Sequence, residues 1–367
     1  MNKKIRAVGA AVLVAVWGLL TAFAWIRPSD DFSVAERRPL AKAPSVTGET
    51  LLNGKFTQSF EDYSLDQFPQ RDDFRKVKSL FHYYVLGQRD NNGIYITDGI
   101  ASKLEYPLNS PSVDNAIRKF TGLYNQYLKD TGSHVVAAIV PDKGYYLAEA
   151  NGYPAMDYEA LYSRMEEGMP FADFVRLTDL LTEDDYYRTD THWRQERILP
   201  VAQRISEALG VNGPQKQDFT AVQAETPFYG VYYGQAALPM KPDTIYTMES
   251  EVLKNCQVYD FESQQYSDVY NREKLAGKDP YEVYLSGARA LLRVENPKST
   301  TDKELIVFRD SFGSSLTPLL VQDYQTVTLV DIRYIASEML EQYLDFHGQD
   351  VLFLYNTLMI NSSASLK

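Results

Sequence analysis

The sequence predicts an α/β fold built on a central parallel sheet, and three observations carry that expectation. In the last quarter of the chain three apolar runs, "ELIVFRD", "TVTLVDI" and "DVLFLYN", alternate with helical segments at "SFGSSLTPLLVQDY" and "ASEMLEQYLDFHG". Apolar strands separated by helices indicate a parallel sheet with right-handed crossovers. The middle of the chain alternates in the same way: a helix near "VDNAIRKFTGLYNQYLKDTG", a strand "HVVAAIVP", a helix across "DYEALYSRMEEGM" and a strand near "FVRLTDL". Finally, "HWRQERILPVAQRISEALG" sets Ile198, Val201, Ile205 and Leu209 on one stripe, which is the helical period.

Taken in order, the chain opens with Lys3, Lys4 and Arg6, followed by no charged residue from Ala7 to Ile26. That run is long enough to cross a bilayer as a helix, with the basic start held inside. Residues 1–26 therefore read as a signal anchor. A cleaved signal peptide is the alternative, because Ala22-Phe23-Ala24 has the small-x-small form of a cleavage site, although Trp17 and Trp25 are bulky beside it. Either way the rest lies outside the cytoplasmic membrane. Residues 27–50 mix Pro, Ser, Asp and Arg without an apolar period and read as a tether. Residues 51–367 read as one catalytic domain. It begins with two short helices broken at Pro69 and continues into a hairpin at "NNGIYITDGIASKLE". Residues from about 212 to 301, rich in Tyr, Gln, Asp and Pro, read as an irregular or β-rich insertion.

Composition narrows the function classes. A net charge of -12 over 367 residues makes nucleic acid a poor partner. Cys256 is the sole cysteine, so the sequence offers neither a disulfide nor a thiolate metal cluster, and no cofactor is expected. The 27 tyrosines suit surfaces that stack on sugar rings and suit an ordinary core equally well.

In open α/β sheets ligands bind beyond the carboxyl ends of the strands, so the polar residues that follow those strands are the candidates. In "IVFRDSFGSSL", Ser311 stands at a strand-to-helix turn and Gly313 relieves crowding. Such a serine exposes its hydroxyl where the first helical N–H groups await an oxyanion. The competing reading is a helix cap supplied by Ser311 or Asp310. In "TDTHW", Asp190 and His192 stand two apart. The pair could orient an imidazole for a serine, bind metal, or form a solvated strand face. No third metal ligand stands at a suggestive spacing, and no metal is expected.

These segments together, "TDTHW" before "FRDSFGSSLTPLL", preceded by "SLDQFPQRDDF" and "IVPDKGYYLAE", resemble the DHHW proteins and the related alginate O-acetylation proteins, which are SGNH-hydrolase-like. The resemblance runs from about Ala35 to Ser363. It implies a three-layer SGNH-like fold with a circularly permuted motif order and a triad of Ser311, His192 and Asp190. Thr191 stands where the family name would place a second histidine. The resemblance also points to Arg333, Asn356, its neighbour Tyr355, and Lys143 as oxyanion or substrate-binding residues, with a turn lysine on the surface as the other reading of Lys143.

The implied chemistry is O-acetyl transfer to an exported or cell-envelope polysaccharide through an acetyl-serine. A multi-pass membrane O-acyltransferase would be the acetyl donor, and the N-terminal helix would hold the protein in the membrane by a single pass. The alternatives are a carbohydrate acetylesterase using the same triad, a non-catalytic polysaccharide-binding envelope protein, and a form secreted after signal cleavage.

Overall fold

The computed structural model describes residues 3–367 and divides the chain into two compact units. The first comprises the chain up to Asn92 together with Tyr233–Pro239, and the second comprises Gly93–Tyr232 and Met240–Lys367. The single domain expected from residue 51 is thus divided, because residues 55–92 fold with the N-terminal segment.

In the first unit, α1 (Lys3–Ile26) contains a stretch, Lys3–Ala24, that is long and apolar enough to cross a membrane, and none of that stretch is buried. The predicted break at Pro69 separates α2 (Lys55–Asp66) from α3 (Arg71–Leu80). The segment expected to be a tether is fastened at its start. A short ribbon pairs Phe32–Ser33 with Arg38–Pro39, and Arg38 grips Asp66 with two bonds of 2.8 and 2.6 Å. That guanidinium holds the Asp66 carboxyl below its ordinary range. Gln67 ties the ribbon's flanks by donating to Asp30 O at 2.9 Å and Ala41 O at 3.1 Å. Tyr233–Pro239 is held in this unit by Arg75, which donates to Gly234 O at 3.0 Å, and by Asn91, which donates to Ala236 O at 2.8 Å.

The second unit is a three-layer α/β structure around an eight-stranded sheet. Numbering only the strands of that sheet, they are β1 (Val135–Val140), β2 (Asp173–Val175), β3 (Gln257–Asp260), β4 (Gln265–Ser267), β5 (Leu291–Glu295), β6 (Glu304–Arg309), β7 (Thr326–Val330) and β8 (Asp350–Asn356). Their spatial order is β4-β3-β5-β7-β6-β8-β1-β2. The run from β7 to β2 is parallel, as the alternation predicted. β5, β3 and β4 extend it antiparallel. These three strands come from residues 257–295, so part of the supposed insertion completes the sheet, while Thr220–Phe228 and Asp243–Glu249 form a separate two-stranded sheet.

Alternation along β1 builds both cores. Val136, Ala138 and Val140 face one core with α6 (Leu199–Ala208) and α7 (Phe312–Leu320), which contribute Val201, Ile205, Leu316 and Leu319. Val135, Ala137 and Ile139 face the other with α4 (Ser110–Leu123) and α5 (Tyr158–Gly168), which contribute Phe120, Leu161 and Met165. Period-2 strands buried on both faces give the near-continuous apolar runs seen in the sequence. The segment 336–348, expected as an α-helix, is a 3-10 turn at Ser337–Gln342. Cys256 is buried, and burial lifts its thiol to about 11, which suits a packing role.

Candidate active site

The carboxyl ends of β1, β6, β7 and β8 lead into Asp142-Lys143, Asp310-Ser311, Asp331-Arg333 and Asn356-Thr357. After β6 the chain turns directly into α7, with Ser311 at the cap position. Gly313 permits the turn, since a Cβ there would lie 2.7 Å from Arg309 Cβ.

The cap is supplied by Asp310, whose Oδ1 accepts the Phe312 N–H at 3.0 Å, while its Oδ2 accepts the Asn356 N–H at 2.7 Å. The Ser311 side chain makes no cap bond. Its hydroxyl instead lies 2.8 Å from His192 Nε2, and His192 Nδ1 lies 2.6 Å from Asp190 Oδ1. A carboxylate only accepts hydrogen bonds, so Nδ1 carries the proton and Nε2 accepts from the serine. Asp190 is fully buried, His192 nearly so, and Ser311 half-buried. Reach from outside is thus confined to the nucleophile's end of the chain.

Asp190 and His192 sit in a tight loop closed by a bridge between Tyr186 and Trp193, not along a strand. The His192 N–H donates to Asp190 Oδ1 at 3.1 Å, an Asx-type turn that brings carboxylate and ring together. The loop is clamped on several sides. Asp243 accepts the N–H groups of Arg188 at 2.8 Å and Thr189 at 2.7 Å. The Val231 N–H donates to Asp190 Oδ2 at 2.8 Å, and Tyr232 OH donates to Thr191 at 3.0 Å. Trp193 Nε1 donates to Ser315 Oγ at 2.9 Å and Gln195 donates to Ser315 O at 2.8 Å, which fixes the loop to the helix that follows Ser311. The Tyr281 ring lies flat on His192, 3.8 Å between centroids and 10° from parallel, and its hydroxyl is 2.8 Å from Ser315 Oγ.

The other candidates fare differently. Lys143 is buried, not a surface turn residue, and its Nζ donates to Tyr187 O at 2.9 Å, so it is a further clamp on the loop. Asn356 caps the helix after β8 through Leu358 N–H at 2.9 Å and donates to Val140 O at 3.0 Å, so both ends of its amide serve the backbone. Tyr355 points into the core against Phe120, away from the serine's side of the strand. Arg333 turns its Nε and Nη2 edge onto Asp331 at 2.8 and 2.5 Å, and its charge lies near enough to oppose the rise that burial causes in Asp310. At the start of α7 the N–H groups of Phe312, Gly313 and Ser314 are bonded to Asp310 and Ser311, whereas the Ser311 N–H has no partner among the described residues.

Sequence reasoning missed Tyr281, Val231, Tyr232 and Asp243, all from the aperiodic 212–301 segment. Val231 acts through its backbone and leaves no residue-type signal. Among the described residues, no group of three or more His, Cys, Asp or Glu is arranged to hold a metal ion.

Residues 151–330 match the family model described as DHHW protein. No curated protein matches the chain by sequence. Among solved structures, a DHHW family protein from Eubacterium siraeum superposes with a TM-score of 0.62 at 20% identity, covering 76% of this chain and 95% of its own. PatB1 of Bacillus cereus, solved with a sulfonyl adduct, gives 0.58 at 17% identity, covering 73% and 95%. The O-acetyltransferase domain of Pseudomonas putida AlgJ is more distant, at 0.46 and 15% identity, covering 73% and 92%. At these identities the likeness is one of fold.

Proposed function

From a chain that carries the DHHW family's sequence pattern over residues 151–330, we propose an extracytoplasmic O-acetyltransferase that acetylates an exported or cell-envelope polysaccharide through Ser311. The observation that carries this reading is the unbroken hydrogen-bonded chain Asp190–His192–Ser311 at the carboxyl edge of the sheet.

Ser311 Oγ attacks the carbonyl carbon of a donor acetyl ester while His192 Nε2 takes the hydroxyl proton. Asp190, held by its bonds to His192 and the Val231 N–H, stabilises the imidazolium. The oxyanion is held by the Ser311 N–H at the positive end of α7. Collapse returns the proton from Nε2 to the departing alcohol and leaves acetyl-Ser311. A sugar hydroxyl then attacks that ester and gives its proton to His192. Release of the acetylated sugar passes the proton back to Ser311 Oγ.

The donor is a multi-pass membrane O-acyltransferase and α1 is the membrane anchor of the enzyme. Full-length protein in detergent is expected to turn over p-nitrophenyl acetate, to gain one acetyl group on the peptide containing Ser311, and to be blocked by phenylmethylsulfonyl fluoride on that residue. Unchanged turnover in Ser311→Ala would overturn the assignment. Hydrolysis that no added saccharide diverts into acetyl transfer would favour the esterase.

A further inference from the structure

Three strands along the carboxyl edge from Ser311 lies an open groove of about 690 Å³. Its walls come from the ends of β3 and β7, the start of β5 and the 3-10 turn that follows β7. Because β5 and β3 run antiparallel and parallel to β7 respectively, Ala290 and Phe261 emerge on the same edge as Asp331. The bonds from Asp331 N–H to Ala290 O and from Phe261 N–H to Leu291 O fix this. With strands about 4.8 Å apart, Phe261 lies roughly 14 Å along that edge from the strand bearing Ser311.

The groove presents two rings that stay partly open to solvent. Tyr334 is 52% exposed and Tyr343 41%, values that a ring recruited for the core would not show. Phe261 meets Tyr343 edge-on at 6.1 Å, forming a corner. Glu262, Arg289 and Lys367 are the groove's charged lining residues, and the Lys367 ammonium donates to Tyr334 O at 3.3 Å. Arg289 stands 3.6 Å from Asp260 and 3.9 Å from Glu262, too far for hydrogen bonds, so its donors are neutralised but not used up. Arg333, lying over the Tyr334 ring at 5.3 Å, connects this corner with the turn after β7 beside the serine.

We propose that this groove binds successive pyranose units of an uncharged glycan, holding the acceptor chain so that one of its hydroxyls reaches Ser311. Half-exposed rings bordered by charges of both signs suit sugar C–H faces and hydroxyls, and a protein of net charge -12 offers a polyuronate little attraction. The inference rests on the acetyltransferase reading for its purpose, but not for its test.

Cellohexaose, chitohexaose and a mannuronate hexamer are titrated by calorimetry into full-length Ser311→Ala protein in detergent, which removes the chemistry. At least one uncharged hexamer is expected to bind. Tyr334→Ala and Tyr343→Ala, placed in that background, should each weaken it about fivefold, the loss of one aromatic face. In the wild-type background the same two substitutions should leave p-nitrophenyl acetate turnover unchanged. Binding of neither uncharged hexamer, binding indifferent to both substitutions, or tighter binding of the mannuronate hexamer would overturn the proposal. Wild-type protein inert toward the small ester would instead defeat the catalytic reading and leave the binding result standing.

Discussion

At the scale of single residues, the site depends on buried groups kept out of their ordinary ionisation ranges. Burial lowers the Lys143 ammonium to about 7, against the pull of Asp190, Asp243 and Asp142. Burial also lifts the adjacent Asp142 carboxyl to about 6, opposed by its bond from Tyr158. Between about 7 and the ordinary lysine value of 10.5 the unfolded chain holds a proton that the folded chain has shed, so stability rises with pH there. Between 3.8 and about 6 the folded chain holds the extra proton on Asp142, so stability falls as pH rises. Lys143→Met is therefore expected to flatten the alkaline limb of melting temperature against pH, and Asp142→Asn the acid limb. Equal slopes in variant and wild type would show that the residue is not held in that state. Tyr281 is tested by kinetics. Losing the ring that lies on His192 in Tyr281→Leu should lower kcat about three- to tenfold, with Tyr281→Phe recovering most of it because the stack survives.

At the scale of elements, the decisive piece is the close approach of residues 230–232 to the dyad loop. A Cβ at Gly230 would lie 2.5 Å from Asp190 Cα, and the Gly230 N–H donates to Thr189 Oγ1 at 2.9 Å. Gly230→Ala must push this strand of backbone away, taking the Val231 N–H from Asp190. The expected result is a loss of about 1–3 kcal/mol of stability from overpacking. The accompanying fall in kcat should be at least ~100-fold, since an unheld carboxylate no longer fixes the imidazole. Activity that falls only in proportion to the folded fraction would reduce Gly230 to a packing role. This approach also marks the limit of what the sequence disclosed. Ser311, Asp190 and His192 were singled out by a polar residue at a strand end and a two-residue spacing, which by themselves left a helix cap, a metal pair or a solvated face open, and it was the family resemblance that joined them as a triad. Tyr281 and Val231 were not, because they reach the site from a segment without periodicity, and a backbone N–H carries no identity. Asn356 and Lys143 were misjudged for a related reason. A polar residue after a strand is also what a helix cap or a loop clamp requires, and only the partners Leu358 and Tyr187 decide between the uses. The parallel strands were predicted correctly, and the antiparallel extension was read as an insertion because its strands are short and separated by long turns.

At the scale of the whole molecule, the proposed anchoring turns on α1 and the unit it enters. Twenty-four residues at 1.5 Å each make a helix of about 36 Å, enough for the ~30 Å hydrocarbon core with some tilt. Little slack follows it. The Arg27 N–H still bonds Phe23 O at 3.1 Å, Arg27 pairs with Asp30 at 2.7 Å, and Asp30 is already tied to Gln67. If α1 stays in the membrane, the first unit is therefore moored within about 10 Å of its surface, the span of three extended residues. Such mooring suits the proposed donor, delivered through a membrane partner, better than a diffusible one. Exchanging residues 1–26 for a cleavable signal peptide is then expected to release a protein that keeps its turnover of p-nitrophenyl acetate, because the site lies wholly in the second unit. The same exchange should abolish acetylation of the cell's polysaccharide, read as ester-linked acetate per sugar. Restoring any unrelated single-pass anchor ahead of Arg27 should recover it, since on the proposed reading mooring and not the sequence of α1 is what matters. Undiminished acetylation by the released protein would mean that the acetyl donor is soluble.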